Sequence, residues 1–266
     1  MTAAERRPRA GPGAAVGAIA LNTVREAVRD RVLYLLLAFA LLVIGAGQFL
    51  GLLTVGDEVK IVTDLGLTAV SVFGLLTAVF VGVSLVFKEI DKRTVMTLLV
   101  QPVPRWQFVA GKYVGLAGVL SINAVLMGAL LWLLVLARGG SPNAILPALV
   151  LILAELLVLG AFAILFSSFT NPILAAVGTA AVYVAGHLSW SFDLLKRRLP
   201  PGAGRIACDV AHAILPNLDR LDVKAEAVHA IPIGSLRVAL GLVYGAGYAL
   251  AVLVLACAVF SRRDFP

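Results

Sequence analysis

Charged residues are scarce in this chain of 266 residues: aspartate, glutamate, lysine and arginine together make up 14% of it. Hydrophobic residues make up 61%, and the mean hydropathy is +0.99. A soluble domain ordinarily carries about 25% charged residues. So little charge excludes an ordinary soluble fold, and lipid must be the main solvent of this chain.

The residue patterns of enzymes are also absent. The sequence contains no HExxH, GxSxG or GxxxxGK[ST] motif, and these spacings hold a catalytic zinc, a nucleophilic serine and the phosphates of ATP. Its three histidines, His187, His212 and His229, are too dispersed in sequence to indicate a metal site. We therefore expect no catalytic residue, no metal ion and no cofactor bound by this chain.

Long apolar runs are the feature that the sequence does have. About 20 apolar residues are needed for a helix to cross the hydrocarbon core of a bilayer. Five runs reach this length and cover residues 32–53, 65–87, 114–137, 145–169 and 238–260. A sixth run, 172–190, is barely long enough. The sequence predicts an all-α integral membrane protein whose domain 32–260 has six transmembrane helices, between a flexible tail, 1–13, and a short tail, 261–266.

The distribution of basic residues predicts the orientation of these spans, because loops rich in Lys and Arg stay in the cytoplasm. With both termini inside, 13 of the 22 basic residues are cytoplasmic: Arg6, Arg7, Arg9, Arg25, Arg29, Arg31, Lys88, Lys92, Arg93, Arg105, Lys112, Arg262 and Arg263. The net charge of +7 suits anionic lipid headgroups. No basic run alternates with aromatic residues, so we expect no nucleic-acid partner.

Residues 14–31 have the pattern of an amphipathic helix. One side carries apolar residues at helical spacing and the other carries charges: Leu21, Val24, Val28 and Val32 against Arg25, Glu26, Arg29 and Asp30. Such a helix lies flat in the cytoplasmic interface with its apolar stripe in lipid. Alternatively, it extends the first span and directs its arginines to the interface. The spacing alone leaves both possibilities open.

Segment 88–112 is the only sizeable cytoplasmic loop that the six spans leave. Charges come first, then a short apolar face of Val95, Leu98 and Leu99. Pro102 and Pro104 cannot continue a helix, so we expect a helix of two or three turns that ends near residue 101. A short helix between two spans is either a docking element that transmits force or an ordinary loop that dips into lipid.

The remaining connections are also informative. Thr170, Asn171 and Pro172 predict a tight cytoplasmic turn, because proline is tolerated at the first position of a helix. The long outer segment, 191–237, is expected to contain one or two short amphipathic helices at the outer surface. In the last span, Gly241 and Gly245 form a GxxxG pattern, which allows another helix to approach closely.

Glu155 is the one ionisable residue well inside a predicted span. A charge at that depth costs about 3 kcal/mol on insertion scales, so the side chain should face protein or water. It is either a carboxylate that lines a transport pathway or a packing group, protonated or hydrogen-bonded to a partner such as Tyr183 or Ser167. His187, the histidine that lies near a span, is the second candidate for a pathway or packing role.

The strongest pattern begins at the end of the second apolar run. Lys88-Glu89 and Asp91-Lys92-Arg93-Thr94 are followed by Leu98-Leu99, by Gln101-Pro102-Val103-Pro104-Arg105, and by Gly111-Lys112. This order resembles the signature of permease subunits of type 2 ATP-binding-cassette (ABC) exporters. In that family an acidic residue at the end of the second span precedes a Thr, a Leu-Leu, a Pro-x-x-Arg and a Gly-Lys. The resemblance covers almost the whole chain.

The resemblance implies that segment 88–112 carries a coupling helix, which sits in a groove of an ABC ATPase. The residues implied to couple are Glu89, Asp91, Arg93, Thr94, Thr97, Leu98, Gln101, Pro102 and Arg105. Two chains would form a homodimer on two ATPase copies, which bind ATP and Mg, in the bacterial cytoplasmic (inner) membrane. Helix 14–31 would be the family's connecting helix, the outer helices would close the exit, and a periplasmic protein is a further partner.

Two other stretches resemble one branch of this family, which contains the permease of nitrous-oxide-reductase maturation systems. They are residues 22–31 and the outer sequence 215–219, Leu-Pro-Asn-Leu-Asp. The resemblance leaves the substrate open. The alternative functions are an ATPase-driven subunit that moves a partner protein without transport, an ATP-independent secondary carrier, and a membrane enzyme that uses Glu155 or His187.

Overall fold

The computed structural model describes residues 12–52, 57–91, 104–189, 202, 204–205, 209 and 215–262, and all regular structure in these ranges is helical. Eight α-helices are described, together with the 3-10 turns Pro142–Ala144 and Leu218–Arg220. The helices are α1 Pro12–Val28, α2 Arg31–Leu52, α3 Glu58–Asp91, α4 Arg105–Ala137, α5 Ile145–Ser167, α6 Pro172–His187, α7 Lys224–Val228 and α8 Ser235–Arg262.

Five helices in the described part of the chain, α2, α3, α4, α5 and α8, are long and apolar enough to cross a membrane. The chain is therefore a multi-pass membrane protein. Helix α6 has 16 residues, which correspond to about 24 Å at a rise of 1.5 Å per residue. This length is shorter than the hydrocarbon core, so the sixth crossing stays a prediction.

Two helices begin earlier than their apolar runs. Helix α3 starts at Glu58 although the run starts at residue 65, and α4 starts at Arg105 although the run starts at residue 114. Counting apolar residues gives the stretch that suits lipid, whereas the helix continues through polar turns beyond it. The apolar runs predicted for the second and third spans therefore lie inside longer helices.

Helix α5 lies at the centre of the bundle and contacts α3, α4, α6 and α8. In its most apolar stretch 72% of the residues are buried, against 22% in α2 and in α8. A helix that is apolar on all sides is buried on all sides when other helices surround it. Any movement of α8 against α5 therefore reaches the centre of the molecule.

Arg138 fixes the end of the bundle where α2 and α4 finish and α3 begins. Its guanidinium Nε donates to the side-chain oxygen of Gln48 at 2.7 Å, its Nη2 donates to the backbone oxygen of Gln48 at 2.8 Å, and it also pairs with Glu58. On the exposed loop beside them, a hydrogen bond from Lys60 lowers the pKa of Asp57. These contacts place the three helix ends together at one end of the bundle.

Helices α5 and α6 form a hairpin. The side chain of Asn171 accepts a hydrogen bond from the backbone N–H of Leu174 at 2.8 Å, and Pro172 occupies the first turn of α6. Asparagine is a preferred N-cap because its side chain satisfies an amide that has no partner within the helix. The tight turn predicted at this point is confirmed.

Helix α1 is separated from α2 by a break at residues 29–30, where the carboxylate of Asp30 accepts a hydrogen bond from the N–H of Val32 at 3.0 Å. It is therefore not a continuous extension of the first span. Three residues of the predicted apolar stripe, Leu21, Val28 and Val32, are exposed, while a separate face formed by Ala20, Thr23 and Ala27 is buried. This second face packs on α4.

Candidate functional site

The first cluster of interest flanks segment 88–112. Helix α3 continues through Glu89 and ends at Asp91, and α4 begins at Arg105. The other predicted coupling residues fall outside the described part of the chain, and their roles stay predictions: Arg93, Thr94, Thr97, Leu98, Gln101 and Pro102. At this end of the molecule, Arg105 is the predicted coupling residue whose side-chain contacts are described.

Arg105 binds the end of the last helix. Its Nη1 atom donates to the backbone oxygens of Phe260 at 3.2 Å and Ser261 at 2.8 Å. The final carbonyl groups of a helix have no partner within it and carry partial negative charge, so a cation stabilises them. One turn further along α4, the ring of Phe108 stacks on that of Phe260, with centroids 5.7 Å apart. The start of α4 is thus bound to the end of α8.

Lys112 lies inside the interface between α1 and α4, and only 2% of its side chain is exposed. Its ammonium group is 3.7 Å from a carboxylate oxygen of Glu26 and 5.7 Å from the ring centroid of Phe108. Burial of an ammonium group requires a partner of opposite charge. Lys112, which the sequence predicts to be one of the cytoplasmic basic residues, thus joins α1 to α4.

Two glycines of α4 allow α1 to approach closely. A Cβ atom on Gly111 would lie 2.7 Å from the Cβ of Ile19, and one on Gly115 would lie 2.5 Å from the Cβ of Thr23. Contacts this short are sterically forbidden, so these positions need glycine while α1 is docked. Because Gly111 faces Ile19 and Gly115 faces Thr23, residue numbers increase in the same direction along both helices. Helix α1 therefore runs parallel to the first turns of α4.

The second cluster lies in the interior, towards the end of the bundle opposite Arg105. Glu155 on α5 is 1% exposed, and one of its carboxylate oxygens is 3.5 Å from Nε2 of His187 at the end of α6. The structure therefore brings together the two residues that the sequence singled out separately. Neither predicted partner of Glu155 hydrogen-bonds to it: the carboxylate has no hydrogen-bond partner among the described residues, and Ser167 donates to the Ala163 backbone.

Two further charged residues complete this second cluster. A carboxylate oxygen of Asp222 is 3.8 Å from Nε2 of His187 and 3.5 Å from the ammonium group of Lys224. Sequence reasoning missed both, because they belong to the segment 191–237, which was expected to lie at the outer surface and is far along the chain from Glu155. The available signal was the apolar spacing of Leu218, Leu221 and Val223, which are all buried and hold this stretch against the helices.

The two glycines of the GxxxG pattern in α8 face α5 of the same chain. A Cβ atom on Gly241 would lie 2.6 Å from a methyl carbon of Leu151, and one on Gly245 would lie 3.4 Å from the Cβ of Ala154. Because both glycines lack a Cβ atom at these contacts, α8 packs closely on α5. An apolar crevice of about 320 Å³ opens beside this contact.

A known protein family matches nearly the whole chain. The family model described as "ABC-2 family transporter protein" matches residues 17–265. That range includes α1 from its second turn, segment 88–112, and all the residues of both clusters. No curated protein matches the chain.

Proposed function

Because the chain belongs to the ABC-2 family of transporter proteins, and is thus a permease subunit of an ABC transporter, we propose that it moves its substrate out of the cell. An ABC ATPase subunit is the partner that this family implies. In our proposal two ATPase copies bind ATP and Mg, and two copies of this chain pair as a homodimer above them in the bacterial cytoplasmic (inner) membrane. Both termini are cytoplasmic.

The contact between Arg105 and α8 is the observation that carries the mechanism. Segment 88–112 would contact the ATPase, and Arg105 is its first described residue in α4. Its guanidinium holds the last carbonyl groups of α8, and α8 packs closely on the central helix α5. Approach of the two ATPases would therefore move α4 and α8 together against α5. A ligand shifts such an equilibrium by binding one arrangement better than the other, and here the ligand is ATP.

Helix α1 fits the role of the connecting helix. Its inner face is fixed to α4 by Gly111, Gly115 and the buried Lys112, while Leu21 and Val28 are exposed and suit lipid. In this proposal α1 moves with the first turns of α4 as one unit. The interfacial position keeps that unit at the level of the lipid headgroups.

The outer sequence 215–233 would close the exit. It packs against the outer ends of the helices through Leu218, Leu221 and Val223. A periplasmic partner protein would contact this side. The branch of nitrous-oxide-reductase maturation permeases stays a prediction based on residues 22–31 and 215–219.

Copurification tests the pairing with an ATPase. The chain, tagged and expressed with the candidate ATPase genes of its own genome, should retain one ATPase through size-exclusion chromatography, and the complex should hydrolyse ATP. The variant Leu98→Asp, which places a charge on the short apolar face of segment 88–112, should lose the ATPase while it stays in the membrane. Retention of the ATPase by Leu98→Asp, or failure of every ATPase to copurify with the unmodified chain, would contradict the proposal.

A further inference from the structure

Residues 215–233, here named the outer cap, are held against the helices from two sides. Four apolar side chains face the bundle and are at most 5% exposed: Leu218, Leu221, Val223 and Ala227. Gly186 of α6 permits this contact, since a Cβ atom there would lie 2.6 Å from Cγ of Leu218. On the other side, the backbone N–H of Asn217 donates to the hydroxyl of Tyr244 on α8 at 2.8 Å. The outer cap is therefore a distinct unit that rests on α3, α5, α6 and α8.

The ionisable residues under the outer cap constrain one another. Nδ1 of His187 is 3.1 Å from the backbone oxygen of Tyr183, and a carbonyl oxygen can only accept, so Nδ1 carries the hydrogen. In a neutral ring Nε2 is then an acceptor. Nε2 faces the carboxylates of Glu155 and Asp222 at 3.5 and 3.8 Å. Two acceptors attract each other only when one proton lies between them.

Counting charges shows how many protons the closed cluster needs. Asp222 and Lys224 form an ion pair of zero net charge. A single proton shared by Glu155 and His187 makes the pair neutral if Glu155 holds it, or makes a histidinium that faces a carboxylate. Either arrangement brings Glu155, His187, Asp222 and Lys224 together to zero net charge. With no proton, the cluster would bury one uncompensated negative charge at a side chain that is 1% exposed, which is strongly unfavourable.

We propose that Glu155, His187 and Asp222 form a proton-binding site under the outer cap, and that binding of one proton holds the cap closed. Loss of this proton leaves an unpaired buried carboxylate, and lifting the cap relieves it by admitting water. The inference goes beyond the proposed function and does not require the ATPase. The ligand is a proton, and the response is movement of residues 215–233.

Titratable and charged groups face the site from α5, α6 and the outer cap itself, and on the side where the cap packs against α3, His229 of the cap interacts electrostatically with Asp57. The groups are Glu155 from α5, Tyr183 and His187 from α6, Asp219 from the 3-10 turn, and Asp222 and Lys224 from the rest of the outer cap. Glu226 and Arg237 pair with each other at the exposed edge. Lys224 is the one cation that faces Glu155 in the described part of the chain, and it is already paired with Asp222.

The sign of the pH dependence follows from counting protons in the two states. With the cap open and water present, a solvated imidazole takes up a proton below about pH 6.5 and a solvated carboxyl group only below about pH 4.3. Above about pH 6.5 the open state then holds no shared proton while the closed state holds one, so rising pH favours opening by up to about tenfold per unit. Between about pH 4.3 and 6.5 both states hold one proton, so the equilibrium does not depend on pH in that range.

A cysteine reporter under the cap measures this opening. Ala227, which is 5% exposed, is changed to Cys in a chain carrying Cys208→Ala and Cys257→Ala, purified without ATPase in lipid nanodiscs. Its rate of reaction with a water-soluble methanethiosulfonate reagent is divided by the rate of the exposed control Ser235→Cys at each pH. Val223→Cys is a second reporter in case Ala227→Cys disturbs the cap. The ratio should be flat from pH 5.5 to 6.5 and rise at least tenfold by pH 8.5.

Two substitutions separate proton binding from a structural role. Glu155→Gln removes the titrating group, so the ratio should no longer rise with pH. His187→Gln keeps the carboxyl group but removes the imidazole, so the rise should begin about two pH units lower, since Glu155 then titrates alone. An unchanged onset in His187→Gln, or the same slope in Glu155→Gln as in the unmodified site, would overturn the proposal. So would closure of the cap by sodium ions at pH 8.5, which would identify a metal cation as the ligand.

Discussion

The two ends of this helix bundle are held together by different kinds of interaction. At the end that carries segment 88–112, Arg105 binds two backbone carbonyls, Phe108 stacks on Phe260, and glycines seat α1. Arginine keeps its charge at any physiological pH, so the contacts of Arg105 do not depend on pH. At the opposite end, Arg138 makes comparable contacts with Gln48 and Glu58, but the outer cap there lies over Glu155 and His187, whose facing atoms make no hydrogen bond among the described residues.

This difference fits a transporter that receives force at one end and opens at the other. The end that contacts the ATPase must be rigid, because otherwise the movement of the ATPase would deform this end without moving α8. The end that opens must have two arrangements of similar free energy. The outer cap suits this role, because a buried polar cluster whose hydrogen bonds are only partly made stabilises the closed arrangement weakly. Substitutions at the contacts of Arg105 and α1, or at the contacts of the outer cap, therefore test this difference between the two ends.

The largest effect is expected from reversing the charge that holds α8. Arg105→Glu combined with Glu89→Lys places a carboxylate beside the negative end of α8, where it repels the carbonyls that Arg105 binds. The complex should still assemble and hydrolyse ATP, but the ATP-dependent movement of the outer end should fall at least about tenfold, as spin-label distances report. Arg31→Glu, at an exposed arginine that begins α2, is the matched control and should move normally. Undiminished movement in the double variant would refute the role of Arg105.

A smaller effect is expected at the interface between α1 and α4. In Gly115→Ala the new methyl group would lie 2.5 Å from the Cβ of Thr23, and such overpacking costs about 1 to 3 kcal/mol. We expect thermal unfolding in detergent several degrees below that of the unmodified chain. Gly17→Ala, where nothing lies within 4 Å, should unfold at the same or a higher temperature. Equal melting of the two variants would show that α1 is not seated on Gly115.

The smallest effect is expected at the outer cap. Tyr244→Phe removes the acceptor for the N–H of Asn217 while it keeps the ring beside Arg220, and one neutral hydrogen bond contributes about 1 kcal/mol. The cap should open about fivefold more often at every pH, so the labelling ratio of the Ala227→Cys reporter should rise without a change in its pH onset. A shifted onset would mean that Tyr244 belongs to the titrating site.

The sequence predicted the helical membrane fold because that prediction needs only local information. Apolar runs have the length of a bilayer, and the cap at Asn171 and Pro172 follows from neighbouring residues. The starts of α3 and α4 were missed because the polar first turns, from Glu58 and from Arg105, are helical through contacts with Arg138 and with α8. Those contacts join residues distant in sequence, and periodicity contains no information about them.

The same reason limited the prediction of the sites. Glu155 was conspicuous by itself as a charge inside an apolar run, and His187 by its position near a span. Their partner Asp222 comes from a segment that looks solvated, and only the folding back of Leu218 and Leu221 brings it under the helices. Burial of Lys112 was missed likewise, because a lysine next to a predicted span ordinarily reaches water.

Spin-label distances across the outer end test the central claim most directly. Spin labels are attached to Lys60→Cys and Ser235→Cys, both exposed positions, in a chain that lacks its native cysteines. The labelled chain is mixed with an excess of unlabelled chain and reconstituted in nanodiscs with and without the ATPase. We predict that ATP trapped with vanadate shifts the distance by on the order of a few ångström only when the ATPase is present. The same distance with and without trapped ATP in the full complex, or an equal shift in the absence of the ATPase, would contradict the account.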